Sequence, residues 1–118
     1  MRTAANVVIG FVAVLHLYFL VLEMFFWDKP LGRKVFRLAP EFATASRTLA
    51  ANQGLYNGFL AAGLLYAVTL GVAGRPIQVL FLVFVIIAGV FGALTVNKRV
   101  FWIQAAPAAL ALLLVCLS

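Results

Sequence analysis

The chain has 118 residues, of which 66% are hydrophobic and 10% charged, where ordinary globular chains carry about 25% charged residues. A soluble domain of this length cannot bury so much apolar surface, because its surface-to-volume ratio is too high. The composition therefore excludes an ordinary soluble enzyme, and a lipid bilayer is the expected solvent and partner. A net charge of +6 would raise nucleic acid as a partner for a soluble protein. In an apolar chain it reads more simply as loop charge that orients spans, and no nucleic-acid partner is expected.

Ala5 to Trp27 is long enough to cross a hydrocarbon core, which takes about 20 helical residues. It is too long for a signal peptide, contains His16 and Glu23, and precedes no small-x-small cleavage site. A basic loop follows, "DKPLGRKVFRLAPEFATASRT". Phe36, Leu38 and Phe42, mixed with Arg33, Lys34 and Arg37, suit an amphipathic segment at headgroup level. Pro40 followed by Glu41 reads as a helix start, since proline suits the first turn and an acid suits the positive end of the helix dipole. The second helix is expected to begin there, run along the membrane surface and then enter it as a span over Leu49 to Ala73. "GVAGRP" is a tight turn. Ile77 to Val96 is the third span, and Val100 to Leu117, after "NKRVFW", the fourth. Pro107 lies inside that fourth span and should bend it. The reading is an all-α polytopic membrane protein, one domain over residues 1–118, with four transmembrane helices in an up-down bundle.

Lys29, Arg33, Lys34, Arg37 and Arg47 fall in the first loop, and Lys98 and Arg99 in the third. Only Arg2 and Arg75 fall on the other side. The positive-inside rule puts loops one and three in the cytoplasm and both termini outside. Trp27 and Trp102 then share the cytoplasmic interface, where tryptophan is favoured. A bacterial inner membrane is the expected location. Cys116 is the single cysteine, so no intrachain disulfide can form. One Cys with one His gives no zinc pattern, and no metal site is expected.

Polar residues interrupt the spans at two places. His16 and Glu23 lie seven positions apart, on one helical face and about 10 Å apart along the axis. Together with Leu20 and Trp27 they form a stripe, and an ionisable group at that depth should face the protein interior or a wet cavity. In the second span, "NQGLYNG" places Asn52, Gln53, Tyr56 and Asn57 beside a small-residue ladder: Ser46, Ala50, Gly54, Gly58 and Ala62. Small residues every four positions let another helix approach closely. Gly54, Gly58 and Ala62 are the expected packing positions, and the polar edge beside them should meet Glu23. In the third span, Ala88, Gly89, Gly92 and Ala93 form a second packing patch. Asn6 near the outer interface should be solvated, Asn97 and Gln104 should cap or solvate helix ends, and Arg75 reads as a loop charge.

The run "VAVLHLYFLVLEMFFW", followed after a basic loop by "ANQGLYNGFLAAGL", resembles a bacterial family of small four-span membrane proteins, the domain of unknown function numbered thirteen-zero-four. The resemblance covers essentially the whole chain. Its most specific parts are His16, Glu23, Met24 and Trp27 in one run and Asn52, Gln53, Gly54, Tyr56 and Asn57 in the other. It implies that the two polar runs belong together, and carries no activity with it.

Three functional readings follow. In the first, His16, Glu23, Asn52, Gln53, Tyr56 and Asn57 line an intramembrane pocket for a small hydrophobic or lipid-like molecule. His16 would transfer protons, since an imidazole titrates near neutral pH, and Glu23 would be its acid–base partner. An isomerase or hydrolase of a hydrophobic substrate would fit this set. A haem could take His16 as one axial ligand, but nothing in the sequence specifies haem or any other cofactor. In the second, the chain is a small proton-coupled transporter. Four spans with one carboxylate in the first resemble the small multidrug-resistance exporters, although their motifs are missing and the charge bias opposes dual insertion. In the third, the chain is a structural or partner-binding subunit in which the Gly54–Gly58 groove binds another chain and the polar cluster sets specificity; in the plainest case the cluster only fixes helix register. The exposed small-residue faces favour a homo-oligomer.

Overall fold

A computed structural model describes residues 1–118. The chain is all-helical, without strands: α1 (Arg2–Phe25), α2 (Pro30–Phe36), α3 (Pro40–Thr69), α4 (Arg75–Thr95) and α5 (Ala106–Leu117). α1 and the stretch Gly71–Thr95 are each long and apolar enough to cross a membrane. Their large apolar side chains are mostly outside any protein core: Val7, Phe11 and Val14 on α1 are exposed, as are Leu80, Ile87 and Phe91 on α4. Phe101–Leu117 is apolar but shorter. α3 has 30 residues, about 45 Å at the α-helical rise, but Asn52, Gln53, Tyr56 and Asn57 break up its apolar run. It starts at Pro40 with Glu41 in its first turn, as the sequence predicts.

Packing divides the chain into two compact units, Val14–Ala61 and Met1–Ala13 with Ala62–Ser118. Within the first, the end of α1 runs antiparallel to the first part of α3. The Trp27 indole N–H donates to Ser46 Oγ at 2.9 Å, and Ser46 Oγ donates to the Phe42 carbonyl at 2.7 Å. Asp28 pairs with Arg47 at 3.3 Å. The basic loop, expected as an amphipathic segment, contains the short helix α2, opened by Pro30 in its first turn. Arg37 closes it in the left-handed conformation, φ 56°, its backbone N–H returning to the Arg33 carbonyl. Leu38 N–H reaches the same carbonyl at 2.9 Å.

In the second unit a 3₁₀ turn, Gly71–Gly74, links α3 to α4, with Gly71 at φ 62° where a side chain would be strained. The Arg75 guanidinium donates to the Cys116 and Ser118 carbonyls, each at 3.2 Å, so it caps the negative end of α5 and is more than a loop charge. Gly89 and Gly92 bring α4 against the segment before α5. A methyl group on Gly89 would lie 2.6 Å from Ala105 N, and one on Gly92 would lie 2.7 Å from Val100 Cγ1. Asn97 Oδ1 accepts the Arg99 backbone N–H at 2.8 Å, the capping role expected of it.

The last apolar segment differs from a simply bent helix. Phe101–Ala105 forms a π-helical turn, with the Ala106 N–H bonded back to the Phe101 carbonyl. α5 then begins with Pro107 in its first turn. A proline inside a helix lacks its N–H and collides with the carbonyl one turn back, whereas in a first turn the missing donor costs nothing. The wide turn lets the helix restart at the proline.

Candidate functional site

Glu23 lies two residues before the end of α1 and is only 2% exposed. α3 brings two amides to its carboxylate: Gln53 Nε2 donates to Oε2 and Asn57 Nδ2 donates to Oε1. The two amides are one helical turn apart, so one face of α3 presents both. Asn57 is buried, and Gln53 lies at the exposed flank of the pair. No cation joins the cluster.

The carboxylate is held at this position by close packing. A methyl group on Gly54 would lie 2.8 Å from Met24 Cγ, 3.0 Å from Glu23 Cβ and 3.2 Å from the Leu20 carbonyl. One on Gly58 would meet the Leu20 side chain. The small-residue groove of α3 is thus filled by α1 of the same chain. His16, two turns before Glu23, is fully buried, its ring edge-on to Phe19 at 5.8 Å.

The structure brings Glu23, Gln53 and Asn57 together and leaves two expected members outside. Asn52 and Tyr56 are exposed, Tyr56 lying edge-on to Phe59 at 5.6 Å. The buried face of α3 is marked by Ala43, Ala50, Gly54, Asn57, Ala61 and Leu64. At about 100° per residue, Asn52 and Tyr56 project from the far side of that helix. The same geometry removes Ala62, which is exposed while Ala61 is buried. A ladder of every fourth residue drifts about 40° per step around a helix of 3.6 residues per turn, so a packing face that begins on Ser46 and Ala50 has passed to Ala61 four turns later.

Other polar groups were not legible as buried. Gln78 is 1% exposed and donates to the Ala67 carbonyl at 3.3 Å. It shares a buried face with Leu82, Val85 and Gly89, spacings of four, seven and eleven that could have revealed it. Asn6 is not simply solvated, since its Oδ1 is buried without a hydrogen-bond partner. Arg33 Nε is buried and unpartnered too. A separate apolar groove of about 580 Å³ is lined by Val7, Val8, Phe11, Trp102, Ala106, Pro107 and Leu110, and includes none of the six polar residues.

An all-helical chain with long apolar helices and a carboxylate buried among amides is the class of protein these features define. The chain belongs to a family described as protein of unknown function (DUF1304), whose model matches residues 10–116. It is 36% identical over 104 residues to the uncharacterized protein YpaA of Lactococcus lactis subsp. lactis (strain IL1403), covering 86% of this chain and 87% of that protein. No solved structure matches.

Proposed function

We propose that this is a four-span bacterial inner-membrane protein that binds a small hydrophobic or lipid-like molecule at Glu23. The spans would be α1, the later part of α3, α4, and the π turn with α5, in up-and-down order. Two of these meet the length and apolarity of a span outright. The exposed apolar side chains along α1 and α4 are accounted for by lipid, since a soluble monomer rarely leaves so much contiguous apolar surface in water.

One observation carries the binding reading: a carboxylate 2% exposed, on an apolar helix, held by two neutral amides and no cation. A carboxylate offers about four acceptor positions, and two are in use. The remainder suit a molecule whose polar head donates a hydrogen bond or carries a positive charge. Gln53, exposed on one side and bonded to Glu23 on the other, marks the direction of approach. Buried ionisable groups in membrane helices are costly and generally functional.

The test is native mass spectrometry of the gently purified protein, with an absorption spectrum of the same sample. A bound small molecule present in the wild type and lost in Glu23→Gln supports the reading, and its mass gives the chemical class. Equal ligand content in both proteins, or none in either, removes it and leaves helix register as the role of the cluster.

A further inference from the structure

The chain has three acidic residues, Glu23, Asp28 and Glu41. Glu23 is engaged by amides and Asp28 by Arg47. Glu41 is exposed and forms no ion pair. That leaves Lys29, Arg33, Lys34 and Arg37, four cations in nine positions around α2, with no carboxylate among them.

They are arranged, not merely crowded. Lys29, Arg33 and Arg37 follow at four-residue spacing, and the left-handed turn at Arg37 is tied back to the Arg33 carbonyl. Lys29, Lys34 and Arg37 are exposed. Arg33 is half-buried, and its Nε is shut off from solvent with no acceptor in the chain. An unpaired buried donor is destabilising, and because the side chain is half-buried, a rotation of its guanidinium would let an acceptor from outside satisfy it. A guanidinium with cations on either side presents the parallel N–H donors that match a phosphate.

The surroundings identify the source of that phosphate. Phe36 lies between Trp27, at 5.0 Å, and Phe19, at 6.5 Å between ring centroids. The Trp27 indole N–H is bonded to Ser46 and its ring packs on Phe36; tryptophans next to apolar helix ends are enriched at membrane interfaces. Leu31 and Phe42, beside the cations, are exposed. A soluble anion would gain nothing from these apolar side chains, whereas a phospholipid would use both kinds of contact.

We propose that the turn from Lys29 to Arg37 is a binding site for the phosphate of an anionic phospholipid, with the Arg33 guanidinium donating to a phosphate oxygen. The site rests on the membrane reading proposed above, but it uses none of the residues around Glu23 and stands independently of the binding proposed for them.

The test titrates the full chain in detergent micelles with phosphatidylglycerol and with phosphatidylcholine of the same acyl chains, and counts bound lipid by native mass spectrometry. Phosphatidylglycerol should bind at least about tenfold more tightly, each basic residue near an anionic headgroup contributing about 1 kcal/mol. Arg33→Gln should weaken it about fivefold, and Lys34→Gln with Arg37→Gln together roughly 25-fold, on the same scale. The double variant changes only exposed side chains, so it tests the site even where Arg33→Gln folds poorly. Arg33→Lys keeps the charge and loses the planar donor pair, and should also bind more weakly. Lys98→Gln with Arg99→Gln should leave the affinity unchanged. Equal binding of the two lipids, equal losses in the α2 and Lys98–Arg99 variants, or wild-type affinity in Arg33→Lys would overturn the proposal. Displacement of the lipid by millimolar inorganic phosphate would overturn its lipid assignment.

Discussion

The Asn57 amide, thirty-four positions from Glu23 in the chain, donates a buried hydrogen bond to the Glu23 carboxylate. Gln53 donates to the other oxygen, but from an exposed position. The two bonds should therefore differ in value. Removing Asn57 strands a buried acceptor, whereas solvent can replace the exposed Gln53. Hydrogen bonds to charged groups contribute about 1.5–3 kcal/mol in soluble proteins, and those inside membranes average about 0.6. Asn57→Ala should cost about 1–2 kcal/mol, between these limits, and Gln53→Ala less than about 0.5. Asn52→Ala and Tyr56→Phe, on the outer face of α3, should stay within about 0.5 kcal/mol of wild type. Reversible unfolding in mixed micelles measures all four, and an equal loss in Asn52→Ala and Asn57→Ala would contradict the arrangement.

The glycines of α3 are not equivalent. A methyl group at Gly54 meets Glu23 Cβ and the Leu20 carbonyl, both held by the α1 backbone. At Gly58 it meets only the end of the Leu20 side chain, which can rotate away. Replacing a helical glycine by alanine gains about 1 kcal/mol of propensity, and overpacking costs about 1–3. Gly54→Ala should be destabilising by up to about 2 kcal/mol on balance, and Gly58→Ala neutral or slightly stabilising. Because Gly54 also sets the position of the carboxylate, Gly54→Ala should lower the content of any bound molecule and Gly58→Ala should not. The same unfolding assay and native mass spectra decide both points.

What the sequence made legible was local. Pro40 and Glu41 announce the start of α3 through their own backbone and dipole preferences. The seven-residue spacing of His16 and Glu23 places two buried groups on one face, and the four-residue spacing of Gln53 and Asn57 places both amides on one face of α3. What lay beyond it depends on relations between elements. Asn52 and Tyr56 carry hydrogen-bonding groups just as Gln53 does, and the direction of the α1 contact distinguishes them. Ala62 continues a ladder whose rotation carries it off the contact. Arg75 finds its acceptors at Cys116 and Ser118, more than forty positions away, and no local pattern marks such a pair. Pro107 signals that a regular helix must fail near it, but the π-helical solution emerges only with Phe101–Ala105 in place.

Arg37 offers a case where stability and binding should move in opposite directions. Its φ of 56° is a conformation that costs a side-chain-bearing residue about 1–2 kcal/mol and glycine almost nothing. Glycine loses part of that gain through the greater freedom of its unfolded chain, about 0.5–1 kcal/mol. Arg37→Gly should therefore stabilise the protein by about 0.5–1 kcal/mol. The turn itself should survive, because the bonds to the Arg33 carbonyl use only backbone N–H groups. The guanidinium would be gone, and phosphatidylglycerol affinity should fall about fivefold. A cationic side chain kept at a strained position fits a binding role. Unfolding and lipid titration of this one variant measure both signs, and a loss of stability together with unchanged lipid affinity would mean that Arg37 serves the fold and not the lipid.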